Sequence, residues 1–216
     1  MESFLVNGLK GGRGKMLKYL NKSDTAIVII HEIYGINKHM RNICHRLSKL
    51  KFDVICLNLL NIDQFYEYEE EAIAYYNFMD NLGFEEAANN VRFITNQIRD
   101  QYKYLFIVGF SVGATISWLS SSKENLYDGF IGFYGSRIRD YIDDNPKCPS
   151  LLIYGSEEKS FNVKELTDVL EKKDKVEVKI FEGKHGFSDP YSKNYDEKSA
   201  NQAFDEMVVF IKCIRQ

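Results

Sequence analysis

The run Leu105-Phe106-Ile107-Val108-Gly109-Phe110-Ser111-Val112-Gly113-Ala114 concentrates the chemistry of this chain. It contains Gly-x-Ser-x-Gly, directly after an apolar strand pattern and directly before a helical one. In that setting the serine sits on a tight turn, and the flanking glycines prevent steric collision there. The helix that follows aims its free N–H groups, that of Val112 first, at the oxygen of a reacting carbonyl. So short a motif also arises by chance. A dinucleotide-binding turn is a further reading, but it needs Gly-x-Gly-x-x-Gly on a first strand, and this strand lies in mid-chain without it. Ser111 is the expected nucleophile.

A serine hydroxyl needs a base. His185, in Glu182-Gly183-Lys184-His185-Gly186-Phe187, follows the last strand pattern and precedes the final helix. It is the only histidine after Ser111, and the chain order serine, acid, histidine puts the base there. The acid belongs after the preceding strand, which runs into Gly155-Ser156-Glu157-Glu158-Lys159. Glu158, three residues past Gly155, is preferred. Glu157 stays open as the alternative, and both as members of a solvated turn. A second oxyanion N–H is expected from the loop His31-Glu32-Ile33-Tyr34-Gly35-Ile36-Asn37, with Ile33 as donor. On pattern alone, His31 and Glu32 read equally well as ordinary loop polars.

These residues must be held by a scaffold, and the chain spells one out. Runs 25–30, 53–60, 104–108, 130–134, 150–154 and 176–181 are short, apolar and rich in β-branched residues, as strands covered on both faces require. Between them lie amphipathic patterns at 38–50, 84–99, 112–121, 163–172 and 197–214. The alternation predicts an α/β fold: a doubly wound, mostly parallel sheet with helices on both faces and right-handed crossovers. No linker or repeat divides residues 1–216, so one domain is expected. Residues 1–22 suggest a leading β-hairpin. Residues 61–82, rich in Tyr and Glu, fit a helix or an excursion over the rim of the sheet.

Composition narrows the function. The 216 residues carry 28 Lys and Arg against 31 Asp and Glu, a net charge of −3 with no basic stripe, which disfavours nucleic acid. No apolar run is long enough to span a membrane, and the start lacks a secretory pattern, so a cytoplasmic protein is expected. Cys44, Cys56, Cys148 and Cys213 form no CxxC pair and read as small reduced core residues. His31, His39 and His45 have no zinc spacing on one helix face. No metal or organic cofactor is expected, and the oligomeric state is not set by the sequence. Gly11-Gly12-Arg13-Gly14-Lys15 lacks the spacing of a phosphate loop and reads as a turn. The glutamates between 67 and 71 read as a solvated face.

Together, His31-Glu32-Ile33-Tyr34-Gly35-Ile36-Asn37, Gly109-Phe110-Ser111-Val112-Gly113 and Lys184-His185-Gly186-Phe187 resemble the dienelactone hydrolase family. The resemblance spans about residues 25–212. It implies an α/β-hydrolase fold and cleavage of a small-molecule ester or lactone through an acyl-enzyme. It also gives the glutamate matching Glu32 a contact with the resting nucleophile. The best-known members use cysteine where Ser111 stands, so here His185 must act as general base during attack. Two arginines that hold the substrate carboxylate in dienelactone-cleaving members have no counterpart. Phe187-Ser188-Asp189 follows the histidine, and residues 67–78 contain no Arg. That double loss argues against an anionic dienelactone. Tyr66, Tyr68, Tyr75, Tyr76 and Phe78 fit either the wall of a neutral pocket or a packed surface helix. Alternatives within the same fold are a thioesterase or acyl-transferring relative, and a non-catalytic binding protein.

Overall fold

The computed structural model describes residues 16–60 and 65–216. Seven strands form one sheet in the order β1-β3-β2-β4-β5-β6-β7. They are β1 (Leu17–Tyr19), β2 (Thr25–Ile30), β3 (Asp53–Leu57), β4 (Tyr104–Phe110), β5 (Gly129–Phe133), β6 (Ser150–Glu157) and β7 (Val176–Lys184). Every neighbouring pair is parallel except β1 and β3. β1 pairs across the sheet with β3, Leu17 opposite Cys56. The rest of the expected leading hairpin, and the Gly11–Lys15 turn, lie outside the described residues.

Successive residues of a strand point to opposite faces, and the sheet uses both. Ile27 and Ile29 pack on one face with Met40, Leu47 and Met207, from α1 (Lys38–Lys49) and α6 (Glu197–Ile214). Ala26, Val28 and Ile30 pack on the other with Phe78, Val91, Trp118 and Leu166. Those four come from α2 (Glu71–Asn81), α3 (Gly83–Asn96), α4 (Val112–Lys123) and α5 (Val163–Leu170). This is the doubly wound architecture the alternating patterns predict. Local signals set the helix starts: Asn37, Asn162 and Asp196 each cap a helix by accepting a backbone N–H.

Three details depart from the sequence reading. β7 lies at the edge and alternates between half-buried and exposed, so it is not covered on both faces. Cys213 is exposed on α6, while Cys44, Cys56 and Cys148 are buried. The third is α4, buried on all sides from Val112 to Ser122. Its serines are tolerated there because Ser117, Ser121 and Ser122 donate to carbonyls of their own helix at 2.7–2.9 Å. Residues 68–81 form a 3₁₀ turn running into α2. Among the described residues no helix is long and apolar enough to cross a membrane.

Candidate active site

The site lies at the carboxyl ends of the parallel strands, where open α/β sheets gather their loops. Ser111 follows β4 and precedes α4 with φ +53°, a left-handed conformation that a non-glycine residue adopts only when its surroundings force it. The two glycines make the turn possible. A Cβ on Gly109 would stand 2.1 Å from the Gly113 carbonyl oxygen, and one on Gly113 would stand 2.3 Å from that of Ile30. The Ser111 N–H donates to Phe133 O at 2.9 Å, tying the turn to the neighbouring strand. Val112 is the first residue of α4, and N–H groups of a first helical turn have no acceptor within the helix.

Neighbouring strands explain how residues 27 positions apart meet. β6 and β7 pair as far as Glu157 opposite Lys184, with a register shift after Gly155. The residues following each strand, Glu158 and His185, therefore emerge side by side. His185 Nδ1 lies 3.0 and 3.1 Å from the two Glu158 carboxylate oxygens, and His185 Nε2 lies 3.0 Å from Ser111 Oγ. The Glu158 carboxylate is only 1% exposed, whereas the imidazole is 38% exposed and so within reach of a ligand. Burial pulls the imidazole pKa down. The hydrogen bond and charge of Glu158 outweigh it, with smaller pulls from Glu32 and Glu71, and hold His185 above its ordinary value of 6.5. Glu157 points to solvent and pairs loosely with Lys184 at 3.9 Å.

The loop after β2 is fixed by two side chains. His31 is buried, with Nδ1 donating to Glu32 O at 2.5 Å and Nε2 accepting from Leu59 N–H at 2.9 Å. Desolvation lowers its pKa to about 4, so it stays neutral and staples this loop to the one after β3. Gly35 N–H closes the turn onto Glu32 O at 3.2 Å, which sets the backbone around Ile33. Glu32 itself is turned inward. Its Oε1 accepts from Tyr134 Oη at 3.3 Å and its Oε2 faces His39 Nδ1 at 3.7 Å, whereas Ser111 Oγ is bonded to His185. A resting contact of Glu32 with Ser111 is thus not the arrangement found. The carboxylate is drawn instead to a phenol and an imidazole.

Several residues here escaped the sequence reading. Tyr134, at the end of β5, is fully buried at φ +41°, and its ring lies 4.9 Å from that of His185. Asp189, four residues after His185, accepts from Tyr68 Oη and from Tyr191 N–H. Burial holds its carboxyl above the usual range. The Tyr-rich segment divides in two. Tyr66 and Tyr68 dock on the loop at 32–37, through Tyr66 N–H to Tyr34 O at 2.9 Å and an edge contact of Tyr68 with Tyr34. Tyr75 and Tyr76 are exposed, and Phe78 enters the core against Phe84.

A parallel sheet carrying a strained serine between strand and buried helix, beside a histidine and an acid on later loops, defines the α/β-hydrolase class. The family model for the dienelactone hydrolase family matches residues 16–214. The chain belongs to that family, and membership supports a hydrolase. Uncharacterized protein YczH of Bacillus subtilis is 38% identical over 169 residues, 77% of this chain and 82% of that protein. A putative carboxymethylenebutenolidase of Salmonella typhimurium is 22% identical, covering 84% of this chain and 74% of its own. Among solved structures, a dienelactone hydrolase-like promiscuous phosphotriesterase from metagenomic libraries superposes with TM-score 0.80 at 13% identity, over 99% of this chain and 98% of that one. A putative dienelactone hydrolase from Klebsiella pneumoniae gives 0.71 at 19% identity, over 85% of both.

Proposed function

We propose that the protein is a serine hydrolase that cleaves a carboxylic ester or lactone through an acyl-enzyme. The observation that carries this reading is the unbroken chain from Ser111 Oγ to His185 Nε2 and from His185 Nδ1 to Glu158, every link between 3.0 and 3.1 Å. In the reaction, Ser111 Oγ attacks the carbonyl carbon while its proton passes to His185 Nε2. Glu158 holds the imidazole in the tautomer with Nδ1–H and stabilises the imidazolium that forms. The N–H groups of Val112 and Ile33 receive the oxyanion. Collapse of the tetrahedral species expels the alkoxide, which takes the proton from His185. Water, deprotonated by the same imidazole, then releases the acid and restores Ser111.

Residues 67–78 and the stretch directly after His185 contain no arginine, which supports a neutral acyl group over an anionic dienelactone. Arg137, which reaches Tyr75 Oη at 3.5 Å, is ion-paired with Asp140. The test is intact-mass analysis after a fluorophosphonate probe, with Ser111→Ala alongside and an ester and lactone panel on both. The expected result is one adduct and measurable hydrolysis, both lost in the variant. Folded wild-type protein with no adduct and no turnover would favour a binding protein instead. Equal activity in S111A would remove the serine from the mechanism.

A further inference from the structure

Behind the candidate site, Glu32, His39 and Asp189 bring one ligating atom each to within 4.8 Å of one another. All three are buried, at 5%, 0% and 2% exposure. His39 Nδ1 lies 3.7 Å from Glu32 Oε2 and 3.8 Å from Asp189 Oδ2, too far for hydrogen bonds. Among the described residues neither nitrogen of the fully buried His39 ring has a hydrogen-bond partner. Buried polar groups are almost always satisfied, so His39 Nδ1, unbonded and aimed between two buried carboxylates, is a candidate ligand atom.

We propose that Glu32, His39 and Asp189 bind a divalent transition-metal ion, zinc(II) foremost, with a water in the fourth position, so that the ion ties together the loops beneath the candidate site. Four-coordinate zinc with bonds of about 2.0–2.2 Å sets its ligands about 3.3–3.6 Å apart. The two separations from His39 Nδ1, 3.7 and 3.8 Å, need to close by a few tenths of an ångström, and the two carboxylates lie within 4.8 Å of one another. A doubly charged cation neutralises two carboxylates that the interior would otherwise hold as like charges. One imidazole with two carboxylates suits zinc, manganese or iron(II) better than calcium or magnesium, which prefer all-oxygen shells.

Outer partners for the carboxylates are in place. Tyr134 Oη donates to Glu32 Oε1, the oxygen that does not face His39. Tyr68 Oη and Tyr191 N–H donate to Asp189. Hydrogen bonds of this kind orient ligating carboxylates in metal sites. The far side of the His39 ring meets the Phe110 ring edge-on, with centroids 5.1 Å apart.

Position gives the ion a purpose. Glu32 lies in the loop that carries Ile33, His39 in the first turn of α1, and Asp189 in the loop that carries His185. A shared ion ties those segments together without touching the Ser111–His185–Glu158 chain. The spacing of His31, His39 and His45 along the sequence cannot show such a site, because its ligands come from three separate elements.

The test is equilibrium dialysis and calorimetry of zinc(II) against chelator-treated, folded full-length protein, with His39→Ala and Asp189→Asn alongside. One ion per chain, a raised Tm on binding, and affinity weakened more than about 100-fold in each variant are the expected results. Absorption spectroscopy at the zinc edge of the wild-type protein should show nitrogen and oxygen ligands with one imidazole. This keeps the proposal testable should a variant not fold. No saturable binding to the folded wild-type protein would overturn it. Unchanged affinity in the variants, or a sulfur ligand pointing to the exposed Cys213, would overturn it as well.

Discussion

The Tyr134 ring lies against the His185 imidazole, centroids 4.9 Å apart, and its hydroxyl is shared between Glu32 Oε1 at 3.3 Å and Ser188 Oγ at 3.1 Å. Burial keeps that hydroxyl protonated by raising its pKa well above the ordinary value. Tyr134 is thus anchored on the loop after β2 and on the His185 loop at once, with its ring against the imidazole. Tyr134→Phe keeps the ring and removes the anchor. Losing a hydrogen bond to a buried charged group should cost about 1.5–3 kcal/mol in urea unfolding. On the proposed ester-hydrolase reading, kcat should fall several-fold while KM stays nearly constant. Unchanged kcat and stability would show that the hydroxyl positions nothing.

The two adjacent glutamates make a sharp pair of variants. Glu158 is buried against His185 Nδ1, while Glu157 points to solvent. On the proposed ester-hydrolase reading, Glu158→Gln preserves shape but removes the charge that would stabilise the imidazolium, and it should lower kcat/KM by roughly 10²- to 10⁴-fold. Glu157→Gln should leave steady-state rates within about twofold, because an exposed pair with Lys184 contributes little. Reversal of that order would exchange the two assignments.

Activity and stability should respond to pH in opposite directions. The His185 pKa is raised above 6.5, because the Glu158 hydrogen bond and charge, with Glu32 and Glu71, outweigh burial. A base must be neutral, so kcat/KM should climb with pH through that raised value. A group with a raised folded pKa stabilises fully below its unfolded pKa and loses that contribution as pH rises through the folded one. Chemical denaturation near pH 6 and near pH 8.5 should therefore show His185 favouring the folded state more at the lower pH. His185→Ala should remove this part of the pH dependence. A flat rate profile from pH 5 to 9 would exclude His185 as the base.

Much of the scaffold was legible because its signals are local. Strand runs apolar on both faces and glycines flanking Ser111 each act within a few residues. Chain order put an acid at Glu157 or Glu158 before His185, with Glu158 preferred by its distance from Gly155, and it is Glu158 that lies against His185 Nδ1 in the fold. What the sequence hid was assembled across the fold. Nothing near Tyr134 announces that its hydroxyl will meet Glu32, 102 residues earlier. Likewise His39 reads as one more polar position on α1 until Asp189 is folded against it. The serines of α4 look like a polar face, yet each is absorbed by bonding back to its own helix or, for Ser120, by Tyr127 at 2.7 Å. Burial on every side cannot be read from such a pattern.

The serine turn also sets a stability ranking among glycines. A Cβ on Gly113 would meet Ile30 O at 2.3 Å and His31 O at 2.6 Å, because the first turn of α4 packs directly on the end of β2. Backbone cannot rotate aside as a side chain can, so Gly113→Ala must push α4 away from β2. That should destabilise the protein by about 3 kcal/mol, and it should displace Val112 relative to Ile33, lowering kcat as well as stability. Gly109→Ala should be at least as severe, with its Cβ 2.1 Å from Gly113 O. Gly83, the first residue of α3, is the control. Its φ is +68° but among the described residues nothing lies within 4 Å of an added Cβ, so only the cost of a left-handed alanine, about 1–2 kcal/mol, is expected. Urea unfolding of the three variants checks the order. A Gly113→Ala protein as stable as Gly83→Ala, with full activity, would mean that the close approach of α4 to β2 does not hold the turn.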